Sequence, residues 1–275
     1  MKILQLRNIL LSCVLGGFVL LLAAPLSYAS DEAVYKEAKS LIKKGLASDV
    51  GFEIVESLTT EIGPRLAGSE SEARARSWGE RKFRELGFSN IRTEPFLVKH
   101  WERKFEQAQI ISPYPQNLVI TALGGSISTP PGGVRGEVVS FPTLQDLKDA
   151  PVKGLEGKIV FVDEYMTRTQ GGSGYGIAVR KRSGAANEAG KRGAIAALIR
   201  SVGTDHHRFA HTGQMTYEDD VKKVPVAALS APDADQLQRA LLKGTVEVNI
   251  VLDVISHGEA ISGNVIAEIP GETDE

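Results

Sequence analysis

The residues best suited to chemistry form a short run of one acid and three histidines: Asp205, His206, His207 and His211. His207 and His211 are four positions apart, and on a helix this spacing would place both imidazoles on one face, as zinc binding requires. Gly203 and Gly213 bracket the segment, however, and favour a loop. His207 also lacks the following glutamate of a zincin motif. We therefore interpret the four as polar surface groups and keep them only as weak candidate metal ligands.

Three other segments carry polar groups that could line a site. His100-Trp101-Glu102-Arg103 stands between two predicted strands, and a structural pairing of its charges is the favoured interpretation. Asp219-Asp220 could bridge two metal ions, but Val221-Lys222-Lys223 follows, so a solvated turn is favoured. We assign no chemistry to His257-Gly258-Glu259, which is typical of a turn.

The glycine-rich segment Gly171–Gly176 matches neither a nucleophile motif nor a phosphate-binding motif. Gly171-Gly172-Ser173-Gly174-Tyr175 fails the Gly-x-Ser-x-Gly pattern at its last position, and it lacks the Lys-Ser/Thr of a Walker loop. We predict a mobile surface loop here.

The elements that must position these groups change in type along the chain. Residues 31–87 are predicted to be helical, interrupted by the loop Gly63–Ser69. Ser69 followed by Glu72 predicts a capping box, and Gly87 is placed to end that helix. Trp78, Phe83 and Leu86 fall close to one helical face.

Strands dominate after this helical region. The predicted strands are Ile91–Lys99, Ala108–Ser112, Leu118–Leu123, Lys158–Val162, Ala194–Ile199, Val224–Leu229, Val246–Leu252 and, after a polar connection, Asn264–Ile269. Gly124–Gly133 is rich in Gly, Ser, Thr and Pro and indicates a boundary. Gly184–Arg192 is predicted to be helical, and Ser230 is predicted to cap a helix that stops at Gly244. Residues 132–254 therefore predict a compact α+β unit.

The N-terminus predicts export. Lys2 and Arg7 precede the uncharged apolar run Ile9–Leu26, and Ser27-Tyr28-Ala29 predicts signal cleavage before Ser30. An uncleaved membrane anchor is the alternative, because the run approaches the length of a span. The sole cysteine, Cys13, lies within this run, so the predicted mature chain has no disulfide. That chain has 30 basic and 34 acidic residues, since the signal contains two basic residues and no acid, and this balance argues against nucleic-acid binding.

Seven segments, taken in order and spacing, resemble the di-zinc exopeptidase family that includes carboxypeptidase Q. They are Ile62–Ser69, His100–Arg103, Leu123–Gly132, Gly157–Val160, Gly193–Val202, His211–Gly213 and Asn264–Ile269. The resemblance implies an α/β fold, in which an incomplete zinc-peptidase α/β domain holds an inserted α+β protease-associated (PA) domain. After the signal peptide predicted at 1–29, it implies the start of the peptidase domain at 30–131, the PA insert at 132–254 and a truncated return strand at 255–275.

The family's metal ligands follow the inserted domain, in a Gly-His-x-Asp segment, an Asp-Asp-Gly segment, a Glu-Glu pair and a later Asp and His. This sequence contains no Gly-His-x-Asp and no Glu-Glu dipeptide, and Asp219-Asp220 lacks the following glycine. We therefore transfer no catalytic, cofactor-binding or metal-binding residue to this chain. The two zinc ions of the family are expected for a full-length enzyme, and none is expected here.

The resemblance implies the N-terminal portion of an exported zinc metallo-exopeptidase, periplasmic or secreted, that cleaves short peptides or dipeptides and is inactive in this form. The alternative is a non-catalytic secreted PA-domain protein with a binding or regulatory role, so whether this chain is an enzyme is left open. The expected partner is a short peptide, without nucleic acid or a stable membrane span, and a homodimer stays open. Without the rest of the parallel sheet, we expect Trp78, Phe83 and Leu86 to form an exposed patch and Asn264–Ile269 to be an open strand edge.

Overall fold

The structure, a computed structural model, describes residues 26–271, which divide into two compact units at Pro64 and Arg65. Most of the predicted signal peptide lies outside the described residues. The first unit contains helix α1 (Leu26–Leu46), helix α2 (Val50–Ser57) and a π-helical turn (Leu58–Ile62). Lys43 and Lys44 in the last turn of α1 complement the negative end of its dipole. Within residues 26–271, none of the helices combines the length and the apolar character needed to cross a bilayer.

The second unit begins with helix α3 (Glu70–Glu85), whose boundaries the sequence predicted. Ser69 accepts a hydrogen bond from the Glu72 backbone N–H (3.2 Å), which confirms the N-cap. The Glu72 carboxylate does not complete the capping box; it pairs with Arg76 and accepts from Ser262 Oγ (3.2 Å). Gly87 has a φ of +82°, the left-handed conformation that ends a helix.

An eight-stranded sheet forms the body of this unit, in the order β2-β1-β8-β4-β5-β6-β7-β3. Its strands are β1 (Ser89–Ser112), β2 (Gln116–Leu118), β3 (Ile120–Ala122), β4 (Val134–Phe141), β5 (Ile159–Val162), β6 (Ala196–Arg200), β7 (Val226–Leu229) and β8 (Glu247–Glu268). The neighbours β4, β5, β6 and β7 are parallel, whereas β3 and β8 run antiparallel to the strands at either end of this group. The mixed α/β class predicted from the sequence is confirmed.

Both faces of the parallel strands are buried, which explains their continuous apolar sequences. Ile159, Phe161 and Leu198 belong to one core, together with helix α7 (Ala231–Leu241). The alternate residues Val160 and Ile199 belong to a second core, together with helices α4 (Leu144–Asp149) and α6 (Arg180–Lys191). Because successive side chains of a strand point to opposite faces of the sheet, each apolar run contributes residues to both layers of helices.

A long antiparallel ribbon, formed by β1 and β8, is the second architectural feature. The two strands pair from Ser89 opposite Glu268 to Ser112 opposite Glu247, with several register shifts. The inner half of the ribbon joins the sheet through β2 and β4. The outer half, Ser89–His100 with Gly258–Glu268, packs against α3.

The ribbon decides the outcome of three predictions. The polar connection expected before Asn264–Ile269 is wrong, because residues 255–263 are strand and pair with β1 backbone, which requires no apolar side chains. Asn264 lies opposite Glu94, and residues 264–268 pair with β1 on one side only, which agrees with the predicted open strand edge. The expected patch is wrong for Trp78, which is 8% exposed, and right for Leu86, which is 45% exposed.

The glycine-rich segment also differs from its prediction. A short helix, α5 (Gly174–Ala178), begins inside the segment predicted to be a loop. Gly174 approaches the Thr167 carbonyl so closely that an added Cβ would lie 2.1 Å from that oxygen. The glycine therefore serves close packing of the backbone.

Candidate functional site

The segment His100-Trp101-Glu102-Arg103 lies at the middle of the ribbon and presents different chemistry on its two faces. Trp101 Nε1 donates to the Ser126 carbonyl and Arg103 Nε to the Ala122 carbonyl, both at 2.9 Å. The Arg103 guanidinium lies over the Trp101 ring, 4.8 Å from its centroid. These two residues fasten the ribbon to the sheet-bearing half of the unit, where cation–π contact adds to the hydrogen bonds.

The intervening residues, His100 and Glu102, share the opposite face, because side chains alternate along a strand. His100 lies opposite Gly258 and Trp101 lies opposite Ser256, so His257 is an extra residue with no direct partner. This β-bulge turns His257 toward His100 and Glu102. Gly258 supplies the φ of +83° that follows the bulged residue.

The three side chains form a compact group with nitrogen and oxygen donors facing one another. His100 Nε2 lies 3.0 Å from Glu102 Oε1, and His257 Nε2 lies 3.4 Å from Glu102 Oε2. The two imidazole rings stack with centroids 4.6 Å apart. One donor atom from each residue can be chosen so that all three lie within 4.8 Å of one another. No other trio of His, Cys, Asp and Glu in residues 26–271 is gathered this closely.

Burial differs across the group. The His100 side chain is 12% exposed, Glu102 27% and His257 41%. Gly68, in the loop before α3, contributes to the burial of His100. A Cβ added at Gly68 would lie 3.3 Å from His100 Cβ and 2.9 Å from Ala260 Cβ. The glycine therefore lets this loop lie directly on the ribbon beside the group.

Electrostatics favour an ionised Glu102. A hydrogen bond from Lys104 Nζ, 2.5 Å from Oε2, lowers the pKa of the Glu102 carboxyl to about 2, with a further contribution from His257. His100 Nε2 is buried and makes no hydrogen bond, because its short distance to Glu102 does not come with suitable N–H geometry. The group therefore holds an ionised carboxylate 3.0 Å from a buried ring nitrogen that makes no hydrogen bond. The favoured charge pairing is present here, but the sequence did not predict that His257 joins it.

The four weak candidate ligands do not assemble into one group. His211 Nε2 lies 3.1 Å from Asp205 Oδ2, whereas His206 pairs instead with Asp235 at 3.4 Å. The His207 backbone N–H donates to Asp205 Oδ1 (3.2 Å) and lowers the pKa of that carboxyl. The segment contains no helix, as Gly203 and Gly213 predicted. Asp219 and Asp220 are exposed in a turn, also as predicted.

A second polar cluster lies at the carboxyl ends of the parallel strands, the edge where α/β sheets commonly bind ligands. Arg200 Nε donates to Asp163 Oδ1 (2.7 Å), and its Nη2 lies 2.7 Å from Asp235 Oδ1. The guanidinium also lies over the Tyr165 ring, 3.8 Å from the centroid. Burial raises the pKa of Asp163 although Arg200 opposes this shift. The arginine is occupied by neighbouring carboxylates, so we interpret this cluster as structural.

Lys181, beside this cluster, yields a pH prediction. The residue is fully buried, its Nζ donates to the Glu164 carbonyl (2.5 Å), and burial lowers its pKa from 10.5 to about 8. Between these values the unfolded chain holds more protons than the folded chain, so this group makes the free energy of unfolding rise with pH. We expect the rise to be at most about 1.4 kcal/mol per pH unit.

Urea unfolding from pH 8 to 10.5 measures this effect. The variant Lys181→Met should lose the rise, whereas Lys243→Met, at an exposed position, should keep it. Equal pH slopes for the native chain and Lys181→Met would contradict the assignment.

Within residues 26–271, one group of three possible metal ligands is gathered closely. Two ions need a bridging group and ligands on both sides. His100, Glu102 and His257 offer one donor each, enough for a single ion. No step of peptide hydrolysis is therefore assigned to this chain's residues.

Comparison with known sequences gives one group of relatives. No family model matches the chain. Carboxypeptidase Q from Xenopus laevis is 35% identical over 242 residues, covering 86% of this chain and 50% of the relative. Carboxypeptidase Q from Bos taurus is 34% identical, with 85% and 49% covered. The human protein is 30% identical, with 88% and 50% covered. The chain thus spans about half the length of these relatives.

Solved structures agree with this result. The crystal structure of a Peptidase M28 precursor from Shewanella amazonensis SB2B has a TM-score of 0.85 and 46% sequence identity, covering 88% of this chain and 55% of that one. An aminopeptidase from Aneurinibacillus sp. strain AM-1 shares the fold, with a TM-score of 0.51 at 19% identity, covering 81% of this chain and 48% of that one.

The architecture and these neighbours define an α/β fold of the zinc-peptidase type. The chain belongs to the carboxypeptidase Q-like family of M28 peptidases, which confirms the family predicted from its sequence segments.

Proposed function

We propose that this chain is the N-terminal portion of an exported zinc metallo-exopeptidase that acts on short peptides, including dipeptides. The observation that carries the proposal is the match to the Peptidase M28 precursor structure, at 46% identity over 88% of the chain. The names of the carboxypeptidase Q relatives support exopeptidase chemistry. The apolar run Ile9–Leu26 and the cleavage sequence before Ser30 support export.

In this proposal the chain supplies scaffold and cover instead of catalytic groups. Residues 132–254 would be the inserted PA domain, and residues 30–131 would begin the peptidase domain. Leu97 and Ile261 lie directly opposite each other on the outer ribbon and are 62% and 64% exposed. Such a pair supports a surface that the remainder of a peptidase domain covers. Two bound zinc ions would polarise the peptide carbonyl and activate water in the complete enzyme.

Peptidase assays test the proposal. We expect the purified 275-residue chain to show no zinc-dependent hydrolysis of dipeptides, because the ligand segments of the family are not in its sequence. A longer product from the source cells, where found, should hydrolyse dipeptides and lose that activity to a chelator. Chelator-sensitive hydrolysis by the 275-residue chain would overturn the assignment, as would a longer product that is inactive on every short peptide tried.

A non-catalytic secreted binding protein is the second candidate. The observation in its favour is that residues 65–275 form a compact unit with two well-buried cores, as an independently folded protein requires. An immunoblot of source cells, with an antibody against residues 132–254, separates the two candidates. A band near the 29.6 kDa of this sequence, or slightly below after signal cleavage, favours the binding protein, whereas a much larger band favours the peptidase.

A further inference from the structure

The donor group at the ribbon bulge has the composition and spacing of a transition-metal site. Two imidazoles and one carboxylate are a ligand set that zinc accepts. Zinc–ligand bonds of about 2.0–2.2 Å place neighbouring donors of a tetrahedral site about 3.3–3.6 Å apart. The Glu102 oxygens lie 3.0 Å and 3.4 Å from the Nε2 atoms of His100 and His257. One donor atom from each residue lies within 4.8 Å of the others, and the two imidazole rings are stacked, so the rings must rotate out of this stacking to bring all three donors onto one ion.

The backbone places these donors before any ion binds. The bulge at His257 turns its imidazole toward a strand on which His100 and Glu102 already share a face. Gly258 adopts the left-handed conformation that this bulge needs. The buried His100 Nε2 makes no hydrogen bond, and an unsatisfied buried nitrogen calls for a partner such as a cation.

Lys104 fits the same interpretation. Its ammonium lies 2.5 Å from Glu102 Oε2 and balances the carboxylate charge where a metal cation would otherwise do so. The lysine side chain is 44% exposed, so it can turn into solvent when an ion takes its place. Lysine and metal are then competitors for one oxygen.

We propose that His100, Glu102 and His257 bind one divalent transition-metal ion of the zinc class. The ion would have three protein ligands and a fourth position open to water. It joins β1 to β8 where the ribbon passes from the sheet to α3, and so fixes the local geometry of the bulge. Its occupancy can be measured without peptidase activity.

Zinc titration of the intact chain tests the proposal. The purified chain is stripped with a chelator, dialysed, and titrated with Zn²⁺ by calorimetry, with Co²⁺ absorption as a second reading of the ligand geometry. We expect one ion per chain. The variant His257→Gln should weaken binding by more than about 100-fold, since loss of an outer-shell partner alone costs 10–100-fold. The control His207→Gln, at an exposed position in the Asp205–His211 segment, should bind as the native chain does.

A second variant tests the competition with Lys104. Lys104→Gln should tighten zinc binding by about two- to fivefold, because it removes the partly exposed ammonium that competes for Glu102. Far-UV circular dichroism and thermal unfolding of both variants, recorded without metal, establish that they fold. Absence of zinc binding by the native chain overturns the proposal. So does equal affinity in folded His257→Gln, and so does loss of binding in His207→Gln alone, which would locate the ion at the Asp205–His211 segment.

Discussion

Replacement of Arg200 by methionine is expected to lower the free energy of unfolding by about 3–5 kcal/mol. Arg200 is 3% exposed and lies within 2.7 Å of carboxylate oxygens from both Asp163 and Asp235. Methionine fills a similar volume but leaves these two carboxylates without their cation. Asp163 is itself buried, and burial raises the pKa of its carboxyl. Water therefore cannot solvate this carboxylate when the arginine is removed.

Urea denaturation at neutral pH measures the Arg200 effect. The matched control is Arg92→Met, which removes an arginine that pairs with Glu94 and Glu268 at the surface and should cost far less than Arg200→Met. Adding Asp163→Asn to Arg200→Met should recover part of the loss, since it removes one unpaired charge. A loss no larger than that of the Arg92 variant would mean that the cluster does not hold the strand ends together.

The second large effect is expected from Phe161→Ala, which should cost about 3–5 kcal/mol. Phe161 is fully buried in the core that joins the central strand β5 to β6 and α7. Truncation to alanine removes apolar contacts and leaves a cavity that the flanking strands cannot close, because the β-ladder fixes their spacing.

Thermal and urea unfolding again provide the measurement. Phe209→Ala makes the same chemical change at a side chain that is 78% exposed, and it should alter stability by no more than about 0.5 kcal/mol. Similar values for the two phenylalanine variants would show that β5 lies outside the cooperative core.

The sequence predicted the parallel strands and capped helices well, because their signals are local. Ser69 and Ser230 both cap helices as their neighbours indicated. Val160 and Ile199 lie in strands that read as continuous apolar runs. These caps and strands are determined by residues close to them in the chain. A single sequence is therefore enough to predict them.

The ribbon could not be predicted in full, because its outer half is stabilised by pairing between distant segments. Residues 255–263 mix polar and apolar side chains without regular alternation, and they resemble a connection until β1 is available as a partner. The donor group was missed for the same reason, since the bulge that turns His257 toward Glu102 is a property of the pairing register. Two clues were present: the alternation of His100 with Glu102, and a glycine directly after His257.

The ribbon also places the ends of the intervening segment side by side. Ser112 and Glu247 are register partners, so everything between them enters and leaves through positions about 5 Å apart. The segment between Ser112 and Glu247 therefore occupies the position that a hairpin turn would have between β1 and β8. Because its strands β2 and β4 also pair with β1 and β8, this segment is joined to the ribbon along the inner half and not only at its two ends.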